Sequence, residues 1–92
     1  MKLTSQVLHN PNLVSKATVA TTRKLNKLVD KGAKTYSINT TFNKLIRVSD
    51  FYAKANGSCS DGVLRFHVLP ACRKAAKYLK DKGYTTIFNN SV

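Results

Sequence analysis

Tryptophan and glutamate are both absent from this 92-residue chain, and acidic residues of any kind number four. All four are aspartates: Asp30, Asp50, Asp61 and Asp81. General acid–base chemistry needs two carboxylates, or a histidine with a partner, converging on one point. Four aspartates scattered over loops and helix ends supply no such pair, so the sequence does not read as that of an enzyme. The glycines are as sparse, at four isolated positions, which leaves no phosphate-cradling glycine-rich loop. Two cysteines, Cys59 and Cys72, are too few for a disulfide framework. With His67 they offer three metal ligands at spacings unlike a zinc site, and there is no C-x-x-C pair. No cofactor or metal is expected. No apolar run approaches the roughly 18 residues of a membrane span.

What is present in excess is positive charge. Sixteen Lys and Arg against four Asp leave a formal net charge of +12. Such a chain repels itself unless something anionic neutralises it. Nucleic acid does this most effectively, because bound cations release condensed counterions. An acidic membrane surface fits less well, as no long basic helix carries Trp or Phe on its opposite face. A hydrophobic content of 42% suffices for a small core.

Residues 1–29 contain no acid and are rich in Ser, Thr and Lys, the composition of an organellar transit peptide. A basic arm lying on a partner is the competing reading of the same residues. Asn10-Pro11-Asn12 reads as a turn. Val14, Ala17, Thr21, Leu25 and Leu28 then fall at helical spacing, and Asp30-Lys31-Gly32 closes the segment, with Gly32 as a C-terminal cap. Residues 33–38 read as a short extended piece. Asn39-Thr40-Thr41 offers caps for a helix over 41–55, whose apolar face is Phe42, Leu45, Ile46, Ser49 and Ala53. Residues 56–62 read as a loop. In the run 63–69, Leu64, Phe66 and Val68 alternate with Val63, Arg65 and His67, which predicts a strand ended by Pro70. A helix follows over 71–82, with Cys72, Ala75, Ala76 and Leu79 inward, closed by Asp81-Lys82-Gly83. Residues 84–88 read as a second strand. Phe42, Phe51, Phe66 and Phe88 are the expected core aromatics, and Cys72 an apolar packing residue.

The expected fold class is therefore α/β (α+β). A basic N-terminal extension with one helix, residues 1–40, precedes a small helix–strand–helix–strand RNA-binding domain, residues 41–92. The echo between Arg23-Lys24 … Asp30-Lys31-Gly32 and Arg73-Lys74 … Asp81-Lys82-Gly83 reflects two basic helices with the same ending, not a repeat.

Three groups of cations could hold phosphate. Arg73, Lys74, Lys77 and Lys80 lie on the helix after Pro70. Arg23, Lys24, Lys27, Lys31 and Lys34 lie on or just past the first helix. Lys44, Arg47 and Lys54 lie on the second, and Arg65 sits in the predicted strand. Lys outnumbers Arg twelve to four, which favours neutralising a backbone over reading bases.

The order of elements from Ile46 to Phe88 resembles the N-terminal domain of the small-subunit ribosomal protein S-eight family. The likeness is carried by Ile46-Arg47-Val48-Ser49-Asp50-Phe51-Tyr52-Ala53-Lys54-Ala55-Asn56. It continues through Val63-Leu64-Arg65-Phe66-His67-Val68-Leu69-Pro70-Ala71-Cys72-Arg73-Lys74 and ends in Asp81-Lys82-Gly83-Tyr84. The resemblance implies a structural constituent of the small ribosomal subunit, in contact with ribosomal RNA and neighbouring ribosomal proteins. It covers just under half of the chain and leaves no residues for that family's C-terminal RNA-gripping domain. It thus implies a reduced form, or a separate chain that supplies the missing domain. Together with the transit-like composition it points to a mitochondrial ribosome, with the cytoplasmic ribosome as the alternative. Two other classes fit the charge. One is a winged-helix DNA-binding protein with residues 71–82 as recognition helix. The other is a small basic viral or phage interaction protein.

Overall fold

A computed structural model describes residues 4–56, 62 and 64–84, and every element among them is helical. The expected α/β architecture is thereby corrected to an all-helical one. In chain order the elements are α1 (Ser5–Leu8), α2 (Pro11–Asp30), α3 (Thr35–Asn56), a π-helical segment Leu64–Val68, and α4 (Leu69–Asp81).

α2 begins where the sequence suggested a turn. The Asn10 side chain accepts from the backbone N–H groups of Asn12 and Leu13, at 3.0 and 3.2 Å, and Pro11 occupies the first turn, where no N–H is needed. At its other end the Gly32 N–H donates to the Val29 carbonyl at 3.1 Å and the Ala33 N–H to the Leu28 carbonyl at 3.0 Å. This is a Schellman cap, and it needs the left-handed φ of +64° that Gly32 adopts. α4 ends identically: Gly83, at φ +87°, donates to Lys80, and the Tyr84 N–H donates to Leu79 at 2.8 Å. The Asp-Lys-Gly echo in the sequence is this shared cap.

The cap turns the chain back so that α2 and α3 form a helical hairpin, and α4 packs across both. Val14 and Leu25 of α2, Ile38, Phe42, Leu45 and Val48 of α3, and Ala75 and Leu79 of α4 are fully buried. The rest of the buried face of α2 is Ala17 and three threonines, Thr18, Thr21 and Thr22. Thr18 is fully buried, and its hydroxyl donates to the Val14 carbonyl at 2.8 Å; that of Thr22 donates to Thr18 at 2.7 Å. Hydroxyls satisfied within their own helix can be buried at little cost, which is why a weakly apolar face still packs.

Three local expectations are corrected. Residues 35–38 are helical instead of extended, and Asn39, Thr40 and Thr41 lie inside α3 instead of capping it. Ile38 stands one turn before Phe42, so helix here extends the buried stripe through Ile38, Phe42, Leu45 and Tyr52, and that burial outweighs the local capping preference. Thr40 then donates its hydroxyl to the Tyr36 carbonyl at 2.8 Å.

The third correction is the strand at 63–69. Its described residues, 64–69, are helical. Leu64 and Val68 are buried, while Arg65, Phe66 and His67 are exposed. The operative spacing is therefore one helical turn, not alternation, and Phe66, expected in the core, is 70% exposed. Leu64, Val68, Cys72, Ala75 and Leu79 make one stripe running into α4. The π geometry has a local cause. Pro70 has no N–H to give to the carbonyl one turn back, and its ring would clash there, so the widened turn before it lets the helix continue. Tyr84 belongs to no strand; the rest of the predicted strand 84–88, the core assignment of Phe88, and all but Gly62 of the Cys59-containing loop after Asn56 lie outside the described residues.

Candidate nucleic-acid interface

On α2 the buried side chains occupy one face and the cations the other. Lys16, Arg23, Lys27 and Lys31 follow one another at i+7, i+4 and i+4, and Lys24 lies beside them; all five are exposed. At 3.6 residues per turn they fall within an arc of about 100°. On α4, Arg73, Lys77 and Lys80 form an exposed outward row.

These two rows are joined. Lys74 of α4 forms an ion pair with Asp30, the last residue of α2. Asp30 stands at i+7 from Arg23 and i+3 from Lys27, in line with the α2 row. The pair thus brings the flank of the α4 row against the C-terminal half of the α2 row. The seam continues to the end of the bundle. Tyr78 of α4 lies near Gly32, with its hydroxyl 3.9 Å from where a Cβ would stand there. The Lys82 ammonium lies 5.6 Å from the Tyr78 ring centroid. Lys34 is exposed in the turn between α2 and α3. Asp30 and Asp81 are the acids on α2 and α4, against this long run of cations.

The α3 group does not join the seam. Lys54 pairs with Asp50 at 3.2 Å, one turn away, and lies 5.6 Å from the Phe51 ring centroid. Lys44 is half-buried, and Arg47 lies on the rim of a separate groove. Arg65 is exposed in the π-helical segment beside Phe66. Of the thirteen residues expected from the sequence, the fold gathers Arg23, Lys24, Lys27, Lys31, Lys34, Arg73, Lys74, Lys77 and Lys80. It leaves Lys44, Arg47, Lys54 and Arg65 apart. Lys16 and Lys82 are members that sequence reading missed. The signal for Lys16 was present, as it precedes Arg23 by two helical turns.

The groove is apolar and about 500 Å³ in volume, walled by Ile46 and Ala53 of α3 and by Leu64, Val68, Leu69 and Cys72. Arg47 and Asp50 stand at its edge. Cys72 is buried, and desolvation pushes its thiol from an ordinary 9.0 up to about 11. Alkylation of Cys72 by iodoacetamide near pH 8 is therefore expected to be about a hundredfold slower than that of an ordinary thiol, since only the thiolate reacts. Site-resolved mass spectrometry of a Cys59→Ser variant reads this directly; a rate equal to that of the unfolded chain would mean that the site is open. The stability owed to the neutral thiol is fully present below its ordinary value and is lost as pH rises through about 11.

Among the described residues no three His, Cys, Asp or Glu side chains gather where they could hold a metal ion. None of the described helices is long and apolar enough to cross a membrane. The fold and its surface thus define a basic chain whose described elements are all helical. No protein-family model matches the sequence, and neither curated proteins nor solved structures yield a significant match to it.

Proposed function

We propose that this protein binds nucleic acid, RNA in the first place, by neutralising the phosphate backbone along the α2–α4 seam. The observation that carries the reading is the Lys74–Asp30 pair, which merges two separate cationic rows into one surface. A patch on one helix could be an ordinary solvated face. A continuous run of lysines and arginines over two helices is instead the electrostatic footprint of a polyanion. Lysine predominates in it, and lysine acts as a point charge, so the expected mode is backbone neutralisation with little sequence preference. Catalysis has no part in this reading.

The test is a salt titration of the full chain with single-stranded RNA, duplex RNA, duplex DNA and polyglutamate. Affinity for nucleic acid is expected to fall linearly on a log–log plot against salt, with a slope of about −3 or steeper, corresponding to four or more neutralised phosphates. Equal or tighter binding of polyglutamate would instead favour a basic adaptor for acidic proteins. A strong preference for duplex DNA would favour a helical DNA-binding module.

Placement in a small ribosomal subunit, mitochondrial or cytoplasmic, beside neighbouring ribosomal proteins, is the narrower form of the proposal. It draws on the family resemblance, and the helix–strand order that carried the resemblance is not the order of this fold. What supports it is charge alone. Gradient sedimentation of native lysate decides it: co-migration with the small subunit makes the protein a constituent, and migration as a small species removes the placement.

A further inference from the structure

We propose that the end of the bundle where the α2–α3 turn meets the close of α4 is a stacking site for unpaired nucleotides. In it, Tyr36 and Tyr84 take base faces, and the surrounding lysines take the phosphates. The proposal deepens the nucleic-acid reading and rests on it.

Three observations converge there. The first is exposure. Tyr36, on the first turn of α3, is 76% exposed, and Tyr84, just past the α4 cap, is 41% exposed. Together with Phe66 they are the large hydrophobic side chains that the described residues leave in solvent. A single exposed ring is ordinary on a protein surface; two at one end of the bundle, among lysines, make a surface that can take a ligand.

The second is fixation. Tyr84 is held twice: its backbone N–H donates to the Leu79 carbonyl at 2.8 Å, and its phenol oxygen accepts from the Thr35 hydroxyl at 3.1 Å. That bond ties Tyr84, just past the α4 cap, to the first residue of α3, next to Tyr36. Both rings therefore belong to one end of the bundle and sit on anchored backbone, so little ordering is needed when a base arrives.

The third is charge. Lys34 directly precedes Thr35, Lys31 caps α2, and Lys82 caps α4. The seam that carries Lys27 and Lys74 runs into the same end. Cations around flat rings make the usual platform for single strands. Phosphates are neutralised, while any base can stack because every base has a π-face. In a duplex the bases already stack on one another, so these rings offer it nothing.

The absence of tryptophan gives the test a built-in reporter, because the protein's fluorescence is that of its four tyrosines. Full-length protein is titrated with a 12-nucleotide oligouridylate, a 12-base-pair RNA duplex and polyglutamate, as wild type and as Tyr36→Leu. Tyr36→Leu keeps an apolar side chain at an exposed position, and circular dichroism checks its fold. A second variant, Tyr84→Phe, keeps the ring and removes only the hydroxyl bond. Oligouridylate is expected to quench tyrosine emission, and Tyr36→Leu to weaken its binding about tenfold with duplex affinity unchanged within about twofold. Tyr84→Phe is expected to lose less, since its ring remains.

An unchanged oligouridylate affinity in Tyr36→Leu, with wild-type binding intact, overturns this site and leaves the backbone reading standing. Equal losses on single strand and duplex also overturn it. So does a loss on polyglutamate matching that on RNA, which would assign the tyrosines to a protein partner. Failure of the wild type to bind either RNA removes the nucleic-acid reading itself, and this site with it.

Discussion

Phe42→Ala is expected to abolish the cooperative melting transition at physiological temperature, or to lower its midpoint by at least about 12 °C. Phe42 is the largest fully buried side chain among the described residues and belongs to the core that α2, α3 and α4 share. Its truncation removes the transfer energy of a ring and leaves a cavity, together worth about 3–5 kcal/mol. A chain of this size holds roughly 5–14 kcal/mol in all. A net charge of +12 places it toward the lower part of that range, because the cations repel one another. The companion substitution, Phe66→Ala, is expected to change stability by no more than about 0.5 kcal/mol, since that ring is already in solvent. Thermal melts followed by circular dichroism measure both. Comparable losses in the two variants would return Phe66 to the core and revive the alternating strand at 63–69.

Replacing Arg23, Lys27 and Lys31 together by Gln is expected to have the largest effect on binding. Each phosphate left without its cation lowers the salt slope by about 0.7 for a single strand, so the triple variant should give up about 2 from the slope. At 0.1 M salt that corresponds to roughly a hundredfold weaker affinity. The three residues repeat at i, i+4 and i+8 along the exposed face of α2 and its C-cap, where like charges repel by a few tenths of a kcal/mol per pair. Their removal should leave the melting temperature unchanged or slightly raised, so a loss of affinity is not a loss of fold. The control is the α3 set, Lys44, Arg47 and Lys54 changed to Gln. Lys54 is already paired with Asp50 and Lys44 is half-buried, so the slope there should change by less than about 1. An equal effect from both sets would mean that charge number matters and the seam does not.

Composition and the two Asp-Lys-Gly endings were legible without coordinates. Excess lysine, the helical spacing of Val14, Ala17, Thr21 and Leu25, and the glycine caps depend on neighbours within a turn or two, and the tertiary structure keeps them. The run 63–69 was not legible. Leu64-Arg65-Phe66-His67-Val68 satisfies alternation and helical spacing alike, because positions 64 and 68 share a face in both. Only the location of Phe66 separates the two patterns, and that is decided by what the segment packs against. Residues 35–38 failed for the same reason: a capping signal at 39–41 lost to the burial of Ile38.

The candidate site divides the same way. Its members were visible as charges at helical spacing, but the sequence offered three equivalent groups of them. Lys74 and Asp30 are 44 residues apart, and nothing local relates them. The sequence by itself determined that the chain is cationic, that α2, α3 and α4 are amphipathic, and where α2 and α4 stop, since charge and cap chemistry are properties of short stretches. Only the tertiary structure decided that the described part of the first predicted strand is helix, that the α2 and α4 rows become one surface while α3 stays apart, and that Tyr36 and Tyr84 share an end of the bundle. Those outcomes depend on which faces are buried against which, and burial is settled by the whole chain at once.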